Sequence, residues 1–414
     1  MRYWKQPSAL GAQAVNAFDD PKVAQAIEDA IERRIEDGMS WQVAADEVTD
    51  LIANHVADSI ESSGRNIRLD ALRRAPRKLR EHRRYRGRFE ANLEWVWGDA
   101  LDALYLVLIV CRELNVDLFT NHSEERAEDD KLQTLSSITS RACLVTSDIH
   151  ALLRTGHPLG AFARWRTLHE LVVVSALISN SDQEIAQRFA AHSTAEAYKD
   201  ALLHERHRGF NGRAALPDPE LEALREAYEE ACRRYGSRFA DPWQWAAPLT
   251  EPERPTFSLL EKLAGMSHMR PDFRTASHHL HGGASGTDLI NVPFRGVLTT
   301  LSGPTNSGLA EPGSGAALAL TQVTLGFVGY VVDTQKPDPA VVSTMHALSS
   351  MYGDVKEAFA QADRHLASLE NSFQASEARG RLAVWCHEAR SRTARLKWRV
   401  GRRSGRWSVW KKAL

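Results

Sequence analysis

Apolar residues recur at three- and four-residue steps along most of the chain. That spacing puts them on one helix face, because a helix turns once every 3.6 residues or so. The pattern predicts helices over residues 23–35 and 41–60, with Gly38 closing the first and Ser40 capping the second. Longer helices with wide apolar faces are predicted over 92–114, 132–153 and 160–179. Gly156-His157-Pro158 separates the last two, which reads as an antiparallel helical hairpin. More polar helices over 183–208 and 219–235 belong on the outside. "DPWQWAAPLTEPERP" (241–255) is a Pro-rich loop, 256–267 a helix, and 282–315 loop-like with one short strand at 289–294. A helix over 315–332 follows, then a "KPDP" break and helices to the end. No βαβ rhythm and no internal repeat is visible. The fold class is all-α: an antiparallel helical bundle over 91–333, a helical N-terminal segment over 1–90, and C-terminal helices over 334–414 that end in a basic helical extension.

Length changes this picture first. The chain has 414 residues, and a single core stops growing near roughly 250–300. One large core with appended segments, or two domains, is therefore expected. Net charge is −1, so attraction to nucleic acid must come from local patches. Two stand out. Residues 65–88 hold eleven Lys or Arg against Asp70 and Glu81. Residues 381–414 hold eleven against Glu388 alone, with Trp385, Trp398, Trp407 and Trp410 interleaved. Such stretches suit phosphate contact with base stacking, or a membrane surface, or a solvated helix face and frayed end. In the tail, Arg395, Lys397, Trp398, Arg402, Arg403 and Trp407 are the candidate nucleic-acid contacts. Four cysteines (Cys111, Cys143, Cys232, Cys386) form no CxxC pair, and the start, "MRYWKQPSAL", carries no signal-peptide core. Both point to free thiols in a cytoplasmic protein. The longest apolar run, 316–332, contains Thr321, Gln322 and Thr324. It reads as a buried helix rather than a membrane span, so a membrane partner is not expected.

Two constellations are candidates for chemistry. In "ARWRTLHELVVVSALI" (163–178), Arg166 and Glu170 lie one helical turn apart and His169 is beside them. Six of the seven residues after Glu170 are apolar, so this carboxylate must be paired or neutralised. It is either an intrahelical ion pair that fixes packing or a polar centre facing a cleft. In "FRTASHHLHGG" (273–283), preceded by Arg270, a helix over 272–280 would put Arg274 and His278 on one face and His281 nearly so, with His279 turned elsewhere. Histidine can move protons near neutral pH and arginine can hold a phosphoryl oxygen in a fork. Arg274 with His278, His279 or His281 could thus cleave RNA without a metal. The alternative is a histidine-rich helix end that satisfies its own buried groups. No Glu-x-x-His pair of a di-iron bundle occurs, and His204-x-x-His207 lacks an evident third ligand. Zinc held by His278, His281 and Glu170 has no supporting spacing. No metal and no cofactor is expected. P-loop, GxGxxG and GxSxG signatures are absent.

The pieces "RWRTLHELVVVSALI" (164–178), "DPWQWAAP" (241–248) and "FRTASHHLHGG" (273–283) resemble, in that order, a bacterial family of unknown function numbered 5677. "RRIEDGMSWQVAADEVTDLIANHVADSI" (33–60) also looks similar. This resemblance spans about residues 20–335 and implies an all-α protein without an established activity. A remoter resemblance is to all-α HEPN ribonucleases of toxin and phage-defence systems, which carry Arg, four to six residues, then His. Arg274 to His279 and Arg274 to His281 fit that spacing, as do Arg77–His82, Arg164–His169 and Arg381–His387. It implies a metal-independent endoribonuclease, with Arg274 stabilising the phosphoryl charge, His281 or His279 as acid or base, and Arg166 and Glu170 orienting them. It also implies a homo-oligomer and, as partners, RNA and a cognate antitoxin or sensor. The competing expectation is a non-catalytic helical scaffold or sensor that docks a protein, nucleic acid or membrane.

Overall fold

In a computed structural model of the chain, the described residues are 21–121, 129–280, 283–288, 290–294, 297–334 and 339–378. The chain divides into two compact units after Gly87.

The first unit holds α1 (Pro21–Glu36) and the opening part of α2 (Trp41–Asn121). Gly38 adopts a left-handed φ of 93°, which ends α1 as the sequence predicts. Separate helices over 41–60 and 92–114 are not what forms. One 81-residue helix runs through both, across the basic stretch and past Pro76. Periodicity fades between the two patterns because every residue from 61 to 88 except Asp70 and Ala75 is exposed. An unpacked helix has no apolar face to show in its sequence. It is carried instead by strong helix formers and by same-face ion pairs, Arg65–Glu61 at 2.8 Å, Arg74–Asp70 at 2.8 Å and Arg77–Glu81 at 2.9 Å.

The second unit is an all-α bundle. α3 (Asp130–Arg154) and α4 (Pro158–Ser179) form the expected hairpin. Its turn depends on Gly156, at φ 77°, where a Cβ would stand 2.6 Å from the Phe89 ring. α5 (Gln183–His207) and α6 (Asp218–Tyr235) pack together. Then come the short α7 (Ala247–Thr250), α8 (Phe257–Leu263), α9 (Arg270–Leu280) and α10 (Ala284–Asp288). Where one short strand was expected, β1 (Asn291–Phe294) pairs with β2 (Val297–Thr300) as an antiparallel hairpin, in the register Asn291–Thr300 to Phe294–Val297. α11 (Ala310–Thr334) starts five residues earlier than the apolar run suggests, and α12 (Pro339–Ala378) packs along it.

α11 is long and apolar enough to cross a membrane, yet 56% of its most apolar window is buried against neighbouring helices. It packs on α3, α4 and α12. Glycines make that packing close. A Cβ at Gly313 would overlap the Phe359 ring, and one at Gly315 would lie 2.8 Å from Trp165 Nε1. Trp97, Trp165, Phe327 and Phe359 fill the centre. Polar clasps hold the ends. Asp129 caps α3 through Leu132 N–H and accepts from Gln183 and from the Tyr330 hydroxyl on α11. Lys131 donates to the Ser179 and Ser181 carbonyls at the end of α4. The tryptophan-rich "DPWQW" loop is pinned to α5: Arg188 donates to the Trp245 and Gln244 carbonyls, and His192 meets the Asp241 carbonyl at 3.0 Å. Cys111 and Cys143 are buried free thiols whose pKa values burial pushes up, to about 12 and about 11.

Candidate functional site

α4, α8 and α9 converge on one buried carboxylate. Thr256 caps α8 through Leu259 N–H, and Gly265, at φ 73°, closes the turn after it. Phe257, Leu260 and Glu261 share the inward face of α8 at helical spacing. Glu261 Oε1 is 2.9 Å from His169 Nε2 on α4, and Glu261 Oε2 accepts from Arg270 Nη1 on α9 at 3.0 Å. The side chains of His169 and Glu261 are 3% and 2% exposed. Aromatic rings seal the pair. Trp165 stacks on the imidazole at 5.4 Å, Phe257 meets it edge-on at 6.1 Å, and Phe273 lies 5.6 Å away.

Burial holds the His169 pKa below the usual imidazole value, against the upward pull of its hydrogen bond and charge interaction with Glu261. A neutral imidazole whose Nε2–H donates to the carboxylate satisfies both groups. Arg270 supplies the countercharge from the half-buried rim.

Beside this centre, Arg166 and Glu170 form the expected pair at 3.0 Å, with side chains 28% and 25% exposed. The pair is half-buried rather than sunk in the core. Burial raises the Glu170 pKa, while the charges of Arg166 and Arg141 pull it back down. The Arg166 and Arg270 guanidinium carbons lie 4.8 and 5.4 Å from the centroid of the same Phe273 ring. These are cation–π contacts that bring α4 and α9 together.

The other predicted residues lie on α9 or outside the described residues. Arg274 is exposed, and among the described residues it makes no hydrogen bond or ion pair. His278 and His279 are half-buried. His279 turns toward the Phe162 edge, at 5.9 Å, and burial, then the charge of His278, lowers its pKa. No hydrogen bond or ion pair among the described residues joins Arg166 or Glu170 to Arg274, His278 or His279. His281, and the tail residues Arg395, Lys397, Trp398, Arg402, Arg403 and Trp407, lie outside the described residues. Among the described residues no group of three His, Cys, Asp or Glu side chains is placed to hold a metal ion. His204 instead meets the Ala214 carbonyl at 3.0 Å.

Sequence reasoning reached Arg270 and saw His169 only as a neighbour of Glu170. It missed Glu261. The available signal was a carboxylate four residues after Phe257, on the face that Phe257 and Leu260 mark as buried.

The fold and centre define a class: an all-α bundle built around a buried histidine–carboxylate–arginine cluster under aromatic rings. Residues 133–292, less than half of the chain, match a family of unknown function (DUF5677). That part contains every residue of the cluster and its aromatic shell, and in it this chain is similar to that family. No curated protein and no solved structure matches the chain.

Proposed function

We propose that this chain is a non-catalytic helical binding protein, and that the His169–Glu261–Arg270 cluster is its architectural clamp. The observation that carries this reading is the saturation of Glu261. Both carboxylate oxygens are engaged, and the side chain is 2% exposed beneath aromatic rings. A general acid or base must come within hydrogen-bond reach of the proton it moves. His169 faces Glu261 and rings instead. A buried charge satisfied from three helices fixes how those helices dock, and removing one partner leaves the others uncompensated. The partner class that charge favours is an anionic polymer, because the exposed basic stretch over 65–88 has only two carboxylates within it.

The test is denaturant unfolding. Glu261→Ala is expected to lose about 1–3 kcal/mol, because it leaves the buried His169 N–H without an acceptor, and His169→Ala is also expected to lose stability, because it leaves the buried Glu261 carboxylate with one partner fewer. Arg274→Ala is expected to stay within about 0.5 kcal/mol, as exposed positions do. A loss below about 1 kcal/mol at Glu261 would remove the clamp reading.

One observation favours a second reading, the metal-independent ribonuclease of a toxin or defence system. Arg274 is exposed without an ion pair among the described residues, and His278 follows it one helical turn later on α9. Under that reading Arg274→Ala abolishes RNA cleavage while the fold stays intact.

A further inference from the structure

The α2 part of the first unit carries a row of arginines. Arg73, Arg77, Arg80 and Arg84 are spaced by four, three and four residues on a continuous helix. At about 100° per residue these steps keep all four within about 60° of one another, over about 16 Å of helix length. All four are exposed. Arg77 pairs with Glu81 at 2.9 Å. Arg73, Arg80 and Arg84 have no ion-pair partner among the described residues. Leu72 and Leu79 lie on one flank of the row, and Ile67 and Tyr85 on the other, each about 110–130° away. All four of these apolar side chains are exposed.

We propose that this arginine row docks the sugar–phosphate backbone of a nucleic acid. The argument is charge complementarity with a specified shape. A helix that lies on a lipid surface needs one apolar stripe, with its basic residues flanking it. Here no single apolar stripe forms: four cations line one edge, the other seven of the stretch lie around the helix, and the exposed apolar side chains are scattered, with Leu72 and Leu79 on one side, Ile67 and Tyr85 on the other and Leu69 in line with the row. A line of guanidinium forks along a straight edge matches a line of phosphates, to which arginine donates in bidentate fashion. Pro76, within the same stretch, has no N–H to give the Leu72 carbonyl; it is exposed and adds no negative charge. The inference names the partner and the docking face for the binding-protein reading and rests on that reading for its biological sense. It concerns a different unit from the clamp, so the two can fail separately.

The experiment uses full-length protein and a labelled RNA duplex of about 20 base pairs, titrated at several salt concentrations. Arg73→Gln, Arg80→Gln and Arg84→Gln are combined in one variant. A control variant combines Arg206→Gln, Arg213→Gln and Lys356→Gln, three exposed cations elsewhere. The row variant is expected to bind at least tenfold more weakly at about 0.1 M salt. Its slope of log affinity against log salt should flatten by about 2 to 3, since each lost phosphate contact removes about 0.9. The control should bind within about twofold of wild type. Lysine at the same three row positions should restore most of the affinity, because a point charge still meets a phosphate. The proposal is overturned if the row variant binds like wild type, or if the control loses as much. It is equally overturned if wild type binds phosphatidylserine vesicles but not the duplex, or binds neither. Cleavage of the duplex with the row's binding effect intact would instead contradict the non-catalytic reading alone.

Discussion

A carboxylate that is 2% exposed must have its charge met locally, and Glu261 meets it with one histidine and one arginine. The same burial shapes the response to pH. His150, His169 and His279 are each held below the usual imidazole value of 6.5, first of all by burial. The unfolded chain takes up protons at those positions near pH 6.5, while the folded chain resists until lower pH. Their contribution to stability is therefore present above about pH 6.5 and lost as pH falls through their folded values. Glu170, whose pKa burial raises from 4.5, works in the opposite sense: its contribution is present below 4.5 and lost as pH rises through its folded value. Asp99, raised from 3.8 by burial and then by the charge of Asp102, works in the same sense as Glu170, and two such groups do not outweigh three histidines. Unfolding free energy is thus expected to fall from pH 7 to pH 5.5, with a slope of up to about 1.4 kcal/mol per pH unit for each histidine. Replacing His150, whose Nε2 is buried without a partner, by glutamine should shallow that slope. A stability that is flat or rising toward pH 5.5 would contradict the assignment of buried neutral imidazoles.

At the scale of elements, the glycines of α11 make opposite predictions on one helix. Glycine inside a helix ordinarily costs about 0.5–1 kcal/mol relative to alanine. Nothing lies within 4 Å of a Cβ built at Gly329, so Gly329→Ala should stabilise by roughly that amount. Gly313→Ala would push a methyl into the Phe359 ring and should destabilise by about 1–3 kcal/mol. Paired thermal melts check the signs, and like signs for the two variants would mean that α11 and α12 do not pack as described. The helices of the second unit were legible because each has an apolar face with a core to match it. Gly156-His157-Pro158 marked the hairpin turn because glycine and proline interrupt a helix, and the structure adds why the glycine is needed: a Cβ there would collide with Phe89. The helix through residues 61–88 was not legible, because its stability comes from residue propensity and local ion pairs, which leave no periodic apolar signature. Arg166 and Glu170 were readable as a pair because they are one turn apart. Glu261 and His169 are separated by 92 residues, and no local rule brings such positions together. The β1–β2 hairpin was half visible, since its first strand alone carried an apolar run.

For the whole molecule, formal charge nearly cancels while its distribution does not. The carboxylates are spread through both units, whereas the stretch over 65–88 holds eleven cations against two. A molecule of this kind is not drawn to polyanions by its net charge; any attraction must come from that local stretch. The central claim is that the chain binds such a partner and does not cut it. The most direct measurement takes one mixture of full-length protein and end-labelled RNA at low salt, without added metal, and resolves it on a native gel and on a denaturing gel. The account predicts a shifted band on the first and full-length RNA on the second, unchanged by Arg274→Ala. Shortened RNA that becomes full-length when Arg274 is replaced by alanine would contradict it.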